Sequence, residues 1–316
     1  MSEASLDLTI TISSYNTRNL LRNCIESIYR YTQGISFEVI SIDDNSQDGT
    51  AAMLAQSFPQ VILVRNERNQ LYAKNQNRGL RMARGRYACL LDSDTVLKGN
   101  AFQSLVRFMD EHPDVAACAP KLLNLDGSVQ HCVRSFAGLW VFFLQTLHWH
   151  KLFPHSRVMD RYYNTNFDYS RAQPVESIGT SAYVIRRSTW ERAGMLDERF
   201  RLALVDLAYN YMLRQKGYSV YYTPCAEVIH LGSQSINQVA RASLHDQKRA
   251  LIDFSEAYDY FGSSRLTKWL VRMAVTLRYG LKLLEYSLGR DKRVITGPGA
   301  PSREVAAQAA LLRNSK

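Results

Sequence analysis

The sequence predicts an α/β protein: a mostly parallel sheet flanked by helices, with a C-terminal helical extension. Three observations predict it. From Leu8 to Ala119, short β-branched and apolar runs alternate with helix-patterned segments, and that alternation implies right-handed βαβ units. The run Tyr87-Ala88-Cys89-Leu90-Leu91 is apolar on both faces and stops abruptly at Asp92-Ser93-Asp94, as a strand buried in a parallel sheet does. Far downstream, Leu270, Met273, Leu277, Leu281, Leu284 and Leu288 fall on one helical stripe, a pattern of another kind.

Leu8-Thr9-Ile10-Thr11-Ile12-Ser13 alternates as a first strand. Asn16 and Thr17 offer an N-cap to a helix carrying Leu20, Leu21, Cys24, Ile25 and Ile28. Phe37 to Ile42 is the next strand, broken by the turn-forming run Asp43-Asp44-Asn45-Ser46-Gln47-Asp48-Gly49-Thr50. A helix to about Ser57, a strand Val61 to Val64, a helix Tyr72 to Ala83 and the strand ending at Asp92 follow. A helix Asn100 to Glu111 and a strand Val115 to Ala119 complete the alternation. It stops near Pro120; Asp126-Gly127 marks a tight turn, and residues 135–170 are aromatic-rich without a period. A second block resumes at Val175, with strand Ala182 to Ile185, a helix from Ser188 and the loop Asp197 to Phe200. A helix Asp206 to Lys216, closed by Gly217-Tyr218, and strand Val220 to Thr223 end it. The expected division is one domain over 1–236, in halves 7–120 and 121–236, then a helical region 237–295 and a tail 296–316 beyond a Gly/Pro break.

Composition excludes several classes. A chain of 316 residues that is 46% hydrophobic and 11% aromatic can bury a core, so it is not disordered. Cys24, Cys89, Cys118, Cys132 and Cys225 are scattered and form no Cys-x-x-Cys, which argues against a disulfide framework or thiolate zinc and for a reducing compartment. Residues 1–7 do not read as a signal peptide, and the apolar stretch Phe136 to Leu147 is too short to span a bilayer. A formal charge of +10 favours anionic partners. There is no Gly-x-Gly-x-x-Gly after the first strand, no Gly-x-x-x-x-Gly-Lys-[Ser/Thr], no Gly-x-Ser-x-Gly and no His-Glu-x-x-His. His148, His150 and His155 have no carboxylate at ligand spacing and are not read as a metal cluster.

Strands of a parallel sheet deliver their last residues to one rim. That gathers Ser13, Ser14 and Tyr15, then Asp43 and Asp44, then Asp92 and Asp94. A tyrosine can stack on a base and a carboxylate can accept from a base N–H. Two aspartates one residue apart suit Mg²⁺ or Mn²⁺, which suit a diphosphate.

These residues resemble family 2 glycosyltransferases of the GT-A fold, a Rossmann-like architecture. The likeness runs through Ser14-Tyr15-Asn16, Ile42 to Thr50, Asn77-Arg78-Gly79, Ala83 to Tyr87, Asp92-Ser93-Asp94, Ile185-Arg186-Arg187, Gly194 to Phe200, Gly217-Tyr218 and His230 to Ser235. The aromatic segment at 135–155 (Leu139-Trp140, Leu152-Phe153-Pro154) is most similar to bacterial rhamnosyltransferase-like members. The resemblance implies that Ser13, Tyr15, Asp43, Asp44, Asp92 and Ser93 bind the nucleotide-sugar. It implies that Asp92, Asp94 and His230 hold Mg²⁺ or Mn²⁺, and that Asp206 is the general base of an inverting transfer. The donor would be a UDP- or dTDP-linked sugar, such as rhamnose, and the acceptor a hydroxyl of a glycan or lipid-linked glycan in surface polysaccharide synthesis.

The chain departs from the family where Val205, Ala208 and Met212 replace an acid, an aspartate and an arginine, and Gly179-Thr180-Ser181 replaces Gly-Ala. Those losses leave a catalytically silent nucleotide-sugar-binding or scaffolding relative as a rival. A sugar nucleotidylyltransferase is a second, lacking its glycine-rich basic loop after the first strand. A structural reading of Asp206 is a helix N-cap. Lys74, Arg78 and Arg84 either meet the diphosphate or form a solvated helix face. Residues 263–293 carry eight basic and two acidic residues, a net +6. Beside a leucine stripe this reads as an interfacial helix on an anionic membrane surface, placing the protein in the cytoplasm at the inner face of the cell membrane. No RNA-binding motif appears, and nucleic acid is not an expected partner.

Overall fold

A computed structural model of the chain describes residues 6–138, 141, 144, 156–232 and 240–287. The motif residues Leu139, Trp140, Leu152 to Pro154 and Ser233 to Ser235, the histidines at 148, 150 and 155, Leu288 and the expected tail lie outside them. The first half alternates as the sequence predicts: β1 (Leu8–Ser14), α1 (Arg18–Tyr31), β2 (Phe37–Asp43), α2 (Thr50–Ser57), β3 (Ile62–Arg65), α3 (Tyr72–Met82) and β4 (Tyr87–Asp92). Then come β5 (Thr95–Lys98), α4 (Ala101–Glu111), β6 (Val115–Leu123), β7 (Val133–Arg134), α5 (Arg157–Tyr163), β8 (Gln173–Pro174), β9 (Ser177–Ile178) and β10 (Ala182–Arg186). The chain continues through α6 (Arg187–Ala193), α7 (Val205–Gln215), β11 (Ser219–His230), α8 (Ala240–Ala257) and α9 (Arg265–Ser287).

The main sheet is ordered β3-β2-β1-β4-β10-β6-β11-β5, with β8 on β11. β3, β2, β1, β4, β6 and β11 run the same way, and β10, β5 and β8 run against them. The sheet is therefore mostly parallel, with an antiparallel strand wedged between β4 and β6. β10 enters from the rim where β4 ends, so its main chain must run back along β4.

The two faces of β4 bury in different cores. Cys89 and Leu91 pack with α1 and α4, while Ala88 and Leu90 pack with α3, α7 and Phe254 of α8. Both faces are dry, as the apolar run requires. Two glycines allow the close approach of β4 and α3 to β1. A Cβ on Gly79 would lie 2.7 Å from Thr11 Cγ2, and one on Gly85 would lie 2.5 Å from Thr9 N and Tyr87 O, which cannot move aside.

Three details differ from expectation. The α1 N-cap, Thr17, makes no capping bond; its hydroxyl pairs with Ser93 Oγ at 3.0 Å, and Asp48 Oδ2 accepts from Arg18 N at 2.8 Å instead. β6 runs on to Leu123 and β11 to His230, because they pair with each other through a register shift between Thr223 and Glu227. Arg84 binds Glu38 through Nε at 2.8 Å and Nη2 at 2.6 Å, beside the start of β2, at the sheet edge opposite the rim carboxylates; it cannot serve a diphosphate there.

The C-terminal helices form a hairpin. α8 buries Ala250 and Phe254 in the same core as Val205, Ala208 and Tyr209 of α7. α9 packs Val271, Val275 and Tyr279 toward Leu251 and Ile252. Its other face leaves Leu266, Trp269, Leu270, Met273, Leu277, Leu281 and Leu284 between 41% and 66% exposed. Of the cations on the remaining faces, Lys268 pairs with Asp259 at 2.6 Å and Arg272 with Glu256. Among the described residues, no helix is long and apolar enough to cross a membrane.

Candidate active site

Sheet pairing assembles the acidic cluster. Asp92 is the last residue of β4; after Ser93 and Asp94, β5 begins at Thr95, which sits in register with His230 of β11. Leu231 N donates to Asp94 O at 3.0 Å and Asp92 N to Ser181 O at 2.9 Å, which fixes the turn from both sides. His230 Nε2 lies 3.6 Å from Asp92 Oδ2 and 3.5 Å from Asp94 Oδ1. One ligand atom from each of the three lies within 4.8 Å of the others.

Gln130, which sequence reasoning missed, orients the imidazole. Its Oε1 lies 2.7 Å from His230 Nδ1, and its Nε2 donates to Asn124 Oδ1 at 3.2 Å. With the amide so oriented, Oε1 can only accept, so the ring proton belongs on Nδ1 and the Nε2 lone pair faces the carboxylates. This is the outer-shell arrangement that prepares a histidine for a metal.

The electrostatics agree. Burial, and next the neighbouring charge of Asp94, push the Asp92 carboxyl up to about 6 against the pull of His230. Burial disfavours the His230 imidazolium, but Asp94 and Asp92 outweigh it and hold its pKa above the ordinary 6.5. Two carboxylates with one imidazole held metal-ready fit a divalent cation such as Mn²⁺ or Mg²⁺. Ser93 is 4% exposed and its hydroxyl is turned inward to Thr17.

At the ends of β1 and β2, Asp43 is fully buried; Oδ1 accepts from Ser46 N at 3.2 Å, and Arg65 Nε lies 3.5 Å from Oδ2. Asp44 Oδ1 accepts from Asn66 Nδ2 at 2.8 Å and Gln70 N at 2.7 Å, and Oδ2 from Leu71 N at 3.0 Å. Three of the roughly four acceptor positions of a carboxylate are thus taken by one loop, leaving one on Oδ2. Leu71, at φ 68° and ψ 173°, holds a backbone conformation essentially confined to glycine. Ser13 Oγ accepts from Asn75 Nδ2 at 3.0 Å, and Tyr15 stands half-buried at the same rim. Beside this loop opens a cleft of about 780 Å³ that brings Arg65, Arg68, Lys74 and Arg78 together. Arg78 Nη1 also bonds Asn66 Oδ1 at 2.5 Å.

Asp206 lies on α7, one residue past its start, with Leu204 as N-cap in the left-handed region at φ 60°. It is therefore not the N-cap; Oδ1 accepts from Leu207 N at 2.8 Å. Burial raises its carboxyl above the ordinary 3.8 against the Leu207 N–H and the more remote Arg134 charge. The segment Gly179-Thr180-Ser181 joins the two acidic regions. A Cβ on Gly179 would lie 4.0 Å from Asp206 Oδ2, and Ser181 Oγ lies 3.4 Å from His230 Nε2. Tyr72, also missed from sequence, donates to Thr180 Oγ1 at 3.2 Å and feels the charges of both Asp92 and Asp206.

The family pattern described as Glycosyl transferase family 2 matches residues 9–171. The chain belongs to that family. It contains a glycosyltransferase domain of GT-A fold, and 97% of the chain aligns with 79% of the mannosyltransferase PcManGT from Pyrobaculum calidifontis, solved with GDP-Man and Mn²⁺ (TM-score 0.54, 15% identity). Among curated family relatives, the succinoglycan biosynthesis protein ExoO of Rhizobium meliloti is 31% identical over 121 residues, 38% of this chain and 33% of ExoO. The O-antigen biosynthesis protein RfbC of Myxococcus xanthus is 24% identical over 236 residues, 72% of this chain and 17% of RfbC. The matches thus span about a third or less of these curated relatives.

Proposed function

We propose that this family 2 chain is an inverting, metal-dependent glycosyltransferase. It moves a sugar from a nucleoside-diphosphate donor to a hydroxyl of a glycan or lipid-linked glycan acceptor in surface polysaccharide synthesis. The observation that carries the reading is the cluster of Asp92, Asp94 and His230, with the imidazole lone pair aimed at the carboxylates by Gln130. The relatives named for succinoglycan and O-antigen synthesis support the acceptor class.

Asp92, Asp94 and His230 would hold Mg²⁺ or Mn²⁺, which when bound supplies Lewis-acid neutralisation of the departing diphosphate. Ser13, Tyr15, Asp43 and Asp44 form the nucleoside side, Asp44 with its remaining lone pair and Tyr15 with its ring. Asp92 and the main chain of Ser93 carry that surface toward the diphosphate. Lys74 and Arg78 flank the same loop in the cationic cleft. Asp206 takes the proton from the acceptor hydroxyl as that oxygen attacks the anomeric carbon, and a carboxyl raised by burial is suited to the task. The proton ends on Asp206 and the nucleoside diphosphate leaves from the opposite face of the sugar. The likeness of 135–155 to rhamnosyltransferase-like members makes dTDP-rhamnose the first donor to test, with UDP-sugars next.

The exposed leucine face of α9 and the net +6 of 263–293 support peripheral docking on an anionic membrane at the cytoplasmic face. Flotation with anionic liposomes should recover the full chain and lose it on truncation before Ser263; equal flotation removes the helix from the reading.

The deciding experiment is a screen of nucleotide-sugars for Mn²⁺-dependent thermal stabilisation and donor hydrolysis. A donor should stabilise the wild type in Mn²⁺ and fail to stabilise Asp94→Ala. A donor bound equally well by Asp94→Ala, or with metal chelated, overturns the metal-dependent reading.

A further inference from the structure

The loop that delivers Asp206 is held from outside the first 236 residues. Asp246, on α8, is 9% exposed. Its Oδ2 accepts from Ala203 N at 3.0 Å and its Oδ1 from Arg201 Nη2 at 3.2 Å. Ala203 immediately precedes Leu204, the left-handed N-cap of α7, and Asp206 follows two residues later. A left-handed leucine is strained, and such a conformation persists where surrounding contacts over-determine it.

Other contacts converge on the same loop. Phe200 is fully buried, with its ring 5.9 Å from Phe254 and stacked 6.2 Å from Tyr258 at 17°. Tyr258 donates to Asp197 Oδ2 at 3.2 Å, and Tyr211 of α7 meets Phe254 edge-on at 5.5 Å. From the donor side, Ala73 N in the first turn of α3 donates to Arg201 O at 3.1 Å. Arg201 is therefore gripped between the helix that follows the Asp44 loop and the C-terminal hairpin.

We infer that Asp246 is a positioning residue for the Asp206 base, and that the C-terminal hairpin is part of the catalytic apparatus. The inference rests on Asp206 being the base. Asp246 fixes the main chain two residues before α7, so its loss lets Leu204 relax and α7 start with a displaced first turn. A displacement of about 1 Å in a reacting group can cost about a hundredfold in rate. The metal cluster and the Asp44 loop hang on β4, β5, β11 and α3, so donor affinity should not follow.

The test is Asp246→Asn, which keeps shape but turns one acceptor into a donor facing an existing N–H. It is measured beside Arg201→Met and Asp206→Asn. Asp246→Asn should lower kcat by roughly 10- to 100-fold, with donor KM and the Kd for nucleoside diphosphate in Mn²⁺ within about twofold of wild type. Arg201→Met, which leaves the Ala203 bond intact, should lose less. Wild-type kcat in Asp246→Asn, or donor affinity falling as far as kcat, overturns the inference. Should Asp246→Asn fail to fold, Ala203→Pro, which removes the N–H that Asp246 holds, decides instead: reduced kcat with unaltered donor affinity supports the inference and wild-type kcat overturns it. If Asp206→Asn itself keeps wild-type turnover, the base assignment falls instead.

Discussion

The rim of the proposed donor site and the loop of the proposed base hold their carboxylates by different means. Asp44 is fixed by Asn66, Gln70 and Leu71 of the adjoining crossover, and the Asp92–Asp94 turn by strands paired on either side. Asp206 accepts from its own helix and depends for its placement on a loop clasped by α8. A rim made of strand ends comes ordered by the sheet. A base carried on a loop must be ordered by whatever packs behind it, and here that support lies about forty residues further along the chain.

Asp206→Asn cuts deepest into this contrast. Transfer should fall by about 10²- to 10⁴-fold with donor binding retained. Stability should move the other way. A carboxyl whose folded pKa is raised costs stability where it is ionised, and the cost vanishes as pH falls below the ordinary 3.8. Asp206→Asn should therefore melt higher than wild type at about pH 7, the gap closing at about pH 3; calorimetry across that range checks it.

Gln130→Leu tests the outer support of the rim. Mn²⁺ affinity should weaken roughly 10- to 100-fold although all three candidate ligands remain, as titration calorimetry would show. An unchanged affinity would mean that sheet pairing alone sets the imidazole. Asp44→Asn should raise donor KM by about tenfold, since one oxygen becomes a donor facing the Gln70 or Leu71 N–H, while kcat stays near wild type. A fall in kcat instead would show the two regions to be mechanically linked.

The smallest effect belongs to the opposite edge of the sheet. Burial alone would raise the Glu38 carboxyl, but Arg84 and Thr9 outweigh it and hold it below the ordinary 4.5. Such a group adds stability that is fully present above the unfolded value and is lost as pH falls through the folded one. Glu38→Gln should melt a few degrees lower at about pH 7 and converge with wild type below about pH 4, without touching turnover.

The same contrast explains what was legible in the sequence. β1 to β4, and the carboxylates at the ends of β2 and β4, are written locally, in side-chain period and turn residues, and they appear where expected. β5 escaped notice because four residues after a turn carry little pattern, and the reversed course of β10 is set by its neighbours rather than its own residues. Gln130 and His230 stand 100 positions apart, and Asp246 and Ala203 stand 43 apart. Nothing local in a glutamine, or in an aspartate within the polar run His245-Asp246-Gln247-Lys248, announces such a partner. Asp206 stands out through family likeness, but its place within the first turn, behind a left-handed Leu204, is set by tertiary contacts that its neighbours in sequence do not encode.

Leu71 bears on how this chain could be altered. Its glycine-like turn is kept shut by the amide it gives to Asp44, so that carboxylate is a latch as well as the proposed receptor. A change at Asp44 would spring the turn before it taught the pocket a new base. Re-tooling for another nucleotide should therefore begin at Tyr15, whose half-buried ring is not tied into the latch, and should leave the carboxylate alone.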